Sequence, residues 1–169
     1  MTRPPTILTV CLGNICRSPT AEAALREAAA RAEVALTVRS AGTGGWHVGA
    51  PPDRRMRAAA AEVGLDLDGE AARVSADDLD DADLVVAMDR SNLADLQRLA
   101  AAAGVTTPII LFRDLDPEAG PRAEVPDPYY GGPEGFAEVV ALCRRTADHL
   151  VAVLADGGVD AVLAARERS

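Results

Sequence analysis

The chain has 169 residues, of which 26 are Asp or Glu and 17 are Lys or Arg, for a formal net charge of -9 at pH 7. A field of that sign does not attract nucleic acid or an anionic membrane surface, so any anionic ligand has to be captured by local groups. Every one of the 17 basic residues is arginine, which removes Schiff-base lysine chemistry and the lysine of a Walker loop.

With 49% hydrophobic residues the chain can bury one ordinary core and is short for two. One domain is expected over residues 1–169, with its core at about 5–155 and an extension over 156–169 to which the sequence assigns no role. Three cysteines, no Cys-x2-Cys pair and two distant histidines argue against a disulfide framework and against zinc, so no metal and no cofactor are expected. This cysteine usage suits a reducing compartment and a cytoplasmic protein. No apolar run approaches the roughly 18 residues of a membrane span. The expected oligomeric state is the monomer.

In chain order, residues 6–10 are β-branched and aliphatic and predict a buried strand. A loop follows, then an alanine-rich helix over 20–31, with Pro19 at its first position and Ser18 as its cap. Residues 36–39 predict a second strand, closed by Ser40-Ala41-Gly42-Thr43-Gly44-Gly45, and 53–63 a second helix ended by Gly64. The apolar run 84–88 predicts a third strand. Residues 91–103 form a helix with Leu93, Leu96 and Leu99 on one stripe, and 109–112 a fourth strand. Residues 113–133, rich in Pro, Gly and Asp, read as a long irregular loop of the kind kept for function, and 136–154 as a closing helix. The tail carries Gly157-Gly158 and the apolar set Val159, Val162 and Leu163, enough for a helical turn or two. The alternation predicts an α/β fold, a small doubly wound parallel sheet of four strands with helices on both faces, binding ligands beyond the carboxyl ends of the strands.

The loop after the first strand carries the chemistry. In Cys11-Leu12-Gly13-Asn14-Ile15-Cys16-Arg17-Ser18-Pro19, five residues separate Cys11 from Arg17 between a strand and a helix. The first helical amides point back into such a loop and make a nest for a dianion, and Arg17 can grip two of its oxygens in a bidentate fork. The same positive surroundings favour the thiolate of Cys11. Gly13 permits close approach of the backbone, Asn14 tolerates a left-handed conformation, and Ser18 can donate its hydroxyl to the thiolate. Attack by Cys11 on phosphorus would give a phosphocysteine, and the leaving group would need a proton. Asp127, in Asp127-Pro128-Tyr129-Tyr130-Gly131, is the carboxylic acid placed to give it and later to act as base.

These two motifs, in this order and at this distance, resemble those of the low-molecular-weight protein tyrosine phosphatases: a Cys-x5-Arg-Ser/Thr-Pro loop near the amino terminus and an Asp-Pro-Tyr-Tyr loop near the carboxyl end. The likeness extends to about residue 154. The stretch from Ser40 through Trp46 and His47 to Gly49 is most similar to the actinobacterial members, which implies a bacterial source. The resemblance implies a four-stranded flavodoxin-like sheet and a metal-independent phosphotyrosine phosphatase. It makes Cys11 the nucleophile, Arg17 the phosphate clamp and Asp127 the general acid and base. Leu12, Gly13, Asn14, Ile15, Cys16 and Ser18 complete the substrate-binding loop, Asn14, Ser18 and Ser40 support it, and Trp46, Tyr129 and Tyr130 wall the slot for a phenyl ring. Cys16 matches a second cysteine that forms a reversible disulfide with the nucleophile under peroxide. Some members carry a histidine after the second helix where this chain has Gly69. The implied partners are a tyrosine-phosphorylated protein or an aryl phosphate, with phosphate or vanadate as inhibitory ligand.

Two other activities use the same scaffold. A thioredoxin-coupled arsenate reductase needs two further cysteines in a mobile segment, whereas Cys143 stands alone among the apolar residues of the last predicted helix. A protein-arginine phosphatase tends to have threonine where this chain has the apolar Ile15, which suits a phenyl ring. His149 reads as a structural or exposed helical residue, and His47 stands beside the expected pocket.

Overall fold

Four parallel strands, β1 (Thr6–Cys11), β2 (Thr37–Gly42), β3 (Leu84–Ala87) and β4 (Ile109–Leu111), pair in the order β2-β1-β3-β4. The structure is a computed structural model that describes residues 3–167. Around the sheet lie α1 (Arg17–Ala32), α2 (Arg54–Ala61), α3 (Ala76–Asp81), α4 (Arg90–Ala103) and α5 (Pro133–Glu167). This is the doubly wound, flavodoxin-like arrangement. None of the described helices is long and apolar enough to cross a membrane.

Alternation along the strands builds two apolar layers. On β1, Ile7 and Cys11 face the layer that also takes Ala24 and Leu25 of α1, Met56 of α2, and Val139, Cys143 and Leu150 of α5. Leu8 and Val10 face the opposite layer with Leu79 of α3 and with Leu96 and Ala100 of α4. Strands buried on both sides can be apolar throughout, and all four residues of β3 are buried. The register pairs Cys11 with Gly42 and Val10 with Ala87, so the nucleophile expected from the sequence stands at the carboxyl edge of a central strand.

Several boundaries differ from the sequence reading. Helix α1 starts at Arg17, with Cys16 at the cap position and no side-chain capping bond. Ser18 therefore sits inside the first turn, because its hydroxyl is engaged by Cys11 and Asn14. Phe112 leaves β4 and opens a short 3-10 turn (Phe112–Leu115) whose Phe112 and Leu115 are core residues. Helix α3 has no apolar stripe long enough to announce it. It is set by a capping box in which Ser75 and Asp78 satisfy each other's backbone amides.

The tail is longer in helix than expected. After a break at Gly157 and Gly158 the chain resumes α5 and returns Val162 to the core, with Val159 and Leu163 packed against it. Arg168 and Ser169, the end of that extension, lie outside the described residues. The 3-10 turn is tied to α5 through Asp116, whose buried carboxylate accepts from Arg145 Nε and Nη2 at 2.8 Å each and from Arg113 Nε at 2.9 Å. Burial alone would raise the Asp116 pKa, but bonds from Arg145, the Glu118 amide and Arg113 outweigh it and bring it to about 2. Stability from this clasp is present above the ordinary carboxylate range and is lost as pH falls toward 2.

Candidate active site

The loop after β1 is held open by its neighbours. The amides of Thr43 and Gly44 donate to the carbonyls of Cys11 and Leu12, both at 2.9 Å. That approach requires a bare backbone at Gly42, where an added Cβ would lie 2.7 Å from the Leu12 oxygen. Asn14 adopts a left-handed conformation with φ 57°, as its residue type predicts. The turn brings its amide to Cys11 Sγ at 3.2 Å.

Behind the loop, the side chains of Asn14 and Ser18 form a polar brace. Asn14 Nδ2 donates to Ser18 Oγ at 2.8 Å and to Ser40 Oγ at 3.0 Å. Its Oδ1 accepts from the Ala72 amide at 2.9 Å, which fixes the orientation of the carboxamide. Ser18 Oγ thus accepts a hydrogen bond from Asn14, and its own hydroxyl hydrogen faces Cys11 Sγ at 3.0 Å and the Ala41 carbonyl at 3.4 Å. The main chain at Ala72 thereby supports the loop from the side of the segment after α2. Gly69 stands apart, at φ +87° with nothing within 4 Å of its missing Cβ.

Arg17 is nearly inaccessible, with 4% of its side chain exposed. Its Nη1 donates to Asp89 Oδ2 at 2.7 Å and to the Val125 carbonyl at 3.3 Å, while Nη2 lies 3.7 Å from Asp127 Oδ2. Burial acts to lower the Arg17 pKa, but the facing Cys11 and the Asp89 carboxylate carry it above its ordinary value. The guanidinium is thus charged and aimed.

Beyond the carboxyl ends of the strands opens a cavity of about 430 Å³. Cys11, Leu12, Gly13, Ile15, Cys16 and Arg17 line it from the loop, Trp46 and His47 from the turn after β2, and Asp127, Tyr129 and Tyr130 from the segment before α5. Asn14, Ser18 and Ser40 contribute to the brace behind it. Trp46 is 75% and Tyr130 94% exposed, so both form the outer rim. The Trp46 ring folds over Gly44, where a Cβ would come within 1.9 Å of it. The His47 ring leans on Gly13 less closely, 3.1 Å from where a Cβ would stand. Tyr129 and Tyr130 meet edge to face with centroids 5.0 Å apart.

Cys16 is buried beside this cavity. Burial first and the Asp53 carboxylate second push its thiol up to about 12, so it is protonated at neutral pH. Cys143 is fully buried in α5, and its thiol is likewise pushed up to about 12, mainly by burial. His149 lies in α5, away from the cavity lining.

Sequence reasoning missed Asp89. It caps α4 by accepting from the Asn92 amide at 2.7 Å through Oδ1, and offers Oδ2 to Arg17. An Asp directly before a helical stretch is a legible cap signal. Its second partner depends on the pairing of β1 with β3, which one sequence does not reveal.

A thiol at the end of a central strand, a tight loop and a buried arginine in the first turn of the following helix thus meet at one cavity on a flavodoxin-like sheet. The family model for low molecular weight phosphotyrosine protein phosphatase matches residues 6–159, and the chain belongs to that family of hydrolases. The low molecular weight protein-tyrosine-phosphatase YfkJ of Bacillus subtilis is 43% identical over 150 residues, covering 86% of this chain and 93% of YfkJ. The YfkJ crystal structure superposes with a TM-score of 0.82 at 36% identity, covering 92% of this chain and 97% of that one. A low molecular weight protein-tyrosine-phosphatase of Streptomyces coelicolor, an actinobacterium, is 42% identical over 148 residues, covering 86% of this chain and 90% of its own. The crystal structure of the Drosophila arginine phosphatase DARP also matches, with a TM-score of 0.81 at 31% identity, over 86% of this chain and 95% of that one.

Proposed function

We propose that this chain hydrolyses phosphotyrosine in proteins through a phosphocysteine intermediate. The observation that carries this reading is the convergence of Cys11, Arg17 and Asp127 on one cavity whose walls are Ile15, Trp46, Tyr129 and Tyr130. In the first step the Cys11 thiolate attacks phosphorus while Arg17 and the loop amides hold the equatorial oxygens. The bond from phosphorus to the phenolic oxygen breaks, and Asp127 gives that oxygen its proton. In the second step the Asp127 carboxylate takes a proton from water, whose oxygen attacks phosphorus. The bond to sulfur breaks, phosphate leaves and the thiolate is restored. No step calls for a metal, and inorganic phosphate or vanadate would occupy the loop as an inhibitor.

The likeness to DARP favours a second reading, phosphoarginine hydrolysis. Ile15 weighs against it, since an apolar side chain beside the loop suits an aryl ring and offers a guanidinium no acceptor. A panel of phosphotyrosine, phosphoserine and phosphoarginine peptides of one sequence separates the readings. Phosphotyrosine is expected to be cleaved at least about tenfold faster than either of the others, a discrimination within reach of one pocket. Faster cleavage of phosphoarginine would replace the first reading with the second. Arsenate reduction is not favoured, because Cys143 is the one cysteine outside the loop and is fully buried.

A redox switch belongs to the same reading. Peroxide would oxidise Cys11 to the sulfenic acid, and the Cys16 thiol would condense with it to a disulfide, releasing water. Peroxide-inactivated wild type should recover with dithiothreitol, while Cys16→Ser should recover far less. Equal recovery of the two would remove Cys16 from the switch.

A further inference from the structure

The segment carrying Asp127 is tied to the rest of the fold by apolar contacts, with Pro128 buried and Tyr129 packed against the core, and by few polar ones. Its backbone bonds are local, from the Tyr129 amide to Asp127 Oδ1 at 3.1 Å and from the Gly131 amide to the Pro128 carbonyl at 3.0 Å. Val125, just before it, donates to the Met88 carbonyl at 2.8 Å. Asp127 itself is 3.7 Å from Arg17, a loose ion pair. These contacts leave the direction of Asp127 weakly determined.

Arg55 supplies a further anchor from another element. Its guanidinium carbon lies 5.2 Å from the ring centroid of Tyr129 and 4.7 Å from that of Phe136. Tyr129 is half-buried against the edge of the core, whereas Phe136 is a core residue of α5, 2% exposed. Asp53 clamps the same guanidinium, accepting from Nε at 3.2 Å and from Nη2 at 3.1 Å. Asp53 is fixed in turn, since it caps α2 and its amide donates to the Ile15 carbonyl of the phosphate loop at 2.8 Å. The Arg55 side chain is 49% exposed, but a planar cation held at its edge by a carboxylate and placed over two rings links the two elements that carry them.

We propose that Arg55 is a positioning residue that acts through Tyr129 to aim Asp127 at the leaving oxygen. This rests on the reading of Asp127 as general acid. A misdirected acid matters most when the leaving group most needs a proton, so the loss should depend on leaving-group basicity. A general loosening of the fold would slow all aryl phosphates alike.

The experiment compares wild type, Arg55→Ala, Arg55→Lys, Tyr129→Leu, the double variant Arg55→Ala/Tyr129→Leu, and Asp127→Asn on phenyl phosphate and on p-nitrophenyl phosphate. Melting temperatures are recorded beside kcat/KM. Arg55→Ala should lose roughly tenfold on phenyl phosphate and no more than about threefold on p-nitrophenyl phosphate, in the range of a displaced acid catalyst. Arg55→Lys, which keeps the charge without the planar stack, should recover less than half of that loss. The double variant should be no worse than Tyr129→Leu. If Asp127→Asn shows leaving-group dependence and Arg55→Ala shows none, the positioning role is overturned while the acid remains. If neither shows it, the acid assignment falls and the inference falls with it.

Discussion

Turnover of p-nitrophenyl phosphate is expected to fall by at least about 10⁴-fold in Cys11→Ser, with the fold intact. The Asn14 amide donates to the sulfur, the Ser18 hydroxyl lies 3.0 Å from it, and the loop stands at the amino terminus of α1. Sulfur is a softer nucleophile than oxygen, and a thiol is intrinsically more acidic than an alcohol. An alcohol in the same place ionises far less, and the same donors merely solvate it. The substitution is nearly isosteric and keeps a hydrogen-bonding atom in place, so the loop should still bind phosphate. The informative measurement is therefore a pair: turnover lost, and phosphate binding by calorimetry retained within a few fold. Turnover within tenfold of wild type would remove Cys11 as nucleophile. Loss of binding along with turnover would mean that the sulfur holds the loop's shape.

Asp89→Ala should be costly in two separate ways. It removes the acceptor of the shortest bond made by Arg17, leaving a cation with a 4% exposed side chain paired loosely with Asp127. It also uncaps α4, whose Asn92 amide loses its acceptor. A cap contributes about 1 kcal/mol, and an uncompensated buried charge a further 2 to 4 kcal/mol. A total of about 3–5 kcal/mol should lower the melting temperature by about 6–20 °C. The catalytic loss should be on the order of 10²-fold in kcat/KM, because a clamp free to turn no longer meets the phosphate in register. Asp89→Asn, which can still cap the helix, separates the effects. It should restore most of the melting temperature and little of the rate. If Asp89→Asn has wild-type activity, the charge on Asp89 has no part in aiming Arg17.

The two predictions draw on different depths of legibility. Cys11, Arg17 and the turn at Asn14 lie within seven residues, so local spacing determines their geometry and the sequence displays it. The strands were equally readable, because residues buried on both faces produce unbroken apolar runs such as 84–88. Asp127 was found by its motif and not by its distance from Arg17, which only the closed fold sets. Asp89 carried a cap signal and nothing that points to Arg17, and Arg55 carried no motif. Their roles come from partners 72 residues away in the first case and 74 in the second, brought near by β1–β3 pairing and by α2 lying against α5. Helix α3, and the return of the tail to the core, were hidden for a different reason. The first is held by caps, and the second depends on a glycine break whose angle decides whether Val162 meets the core.

The rim residues have an optical consequence. The chain contains one tryptophan and two tyrosines, and Trp46, Tyr129 and Tyr130 all line the same cavity. The two phenylalanines, Phe112 and Phe136, are the large aromatic groups of the interior. Indole and phenol emission therefore originates entirely at the mouth of the site. Occupancy of the phosphate loop can be followed in the unlabelled protein by its own light, and the same signal is a poor witness to the state of the core.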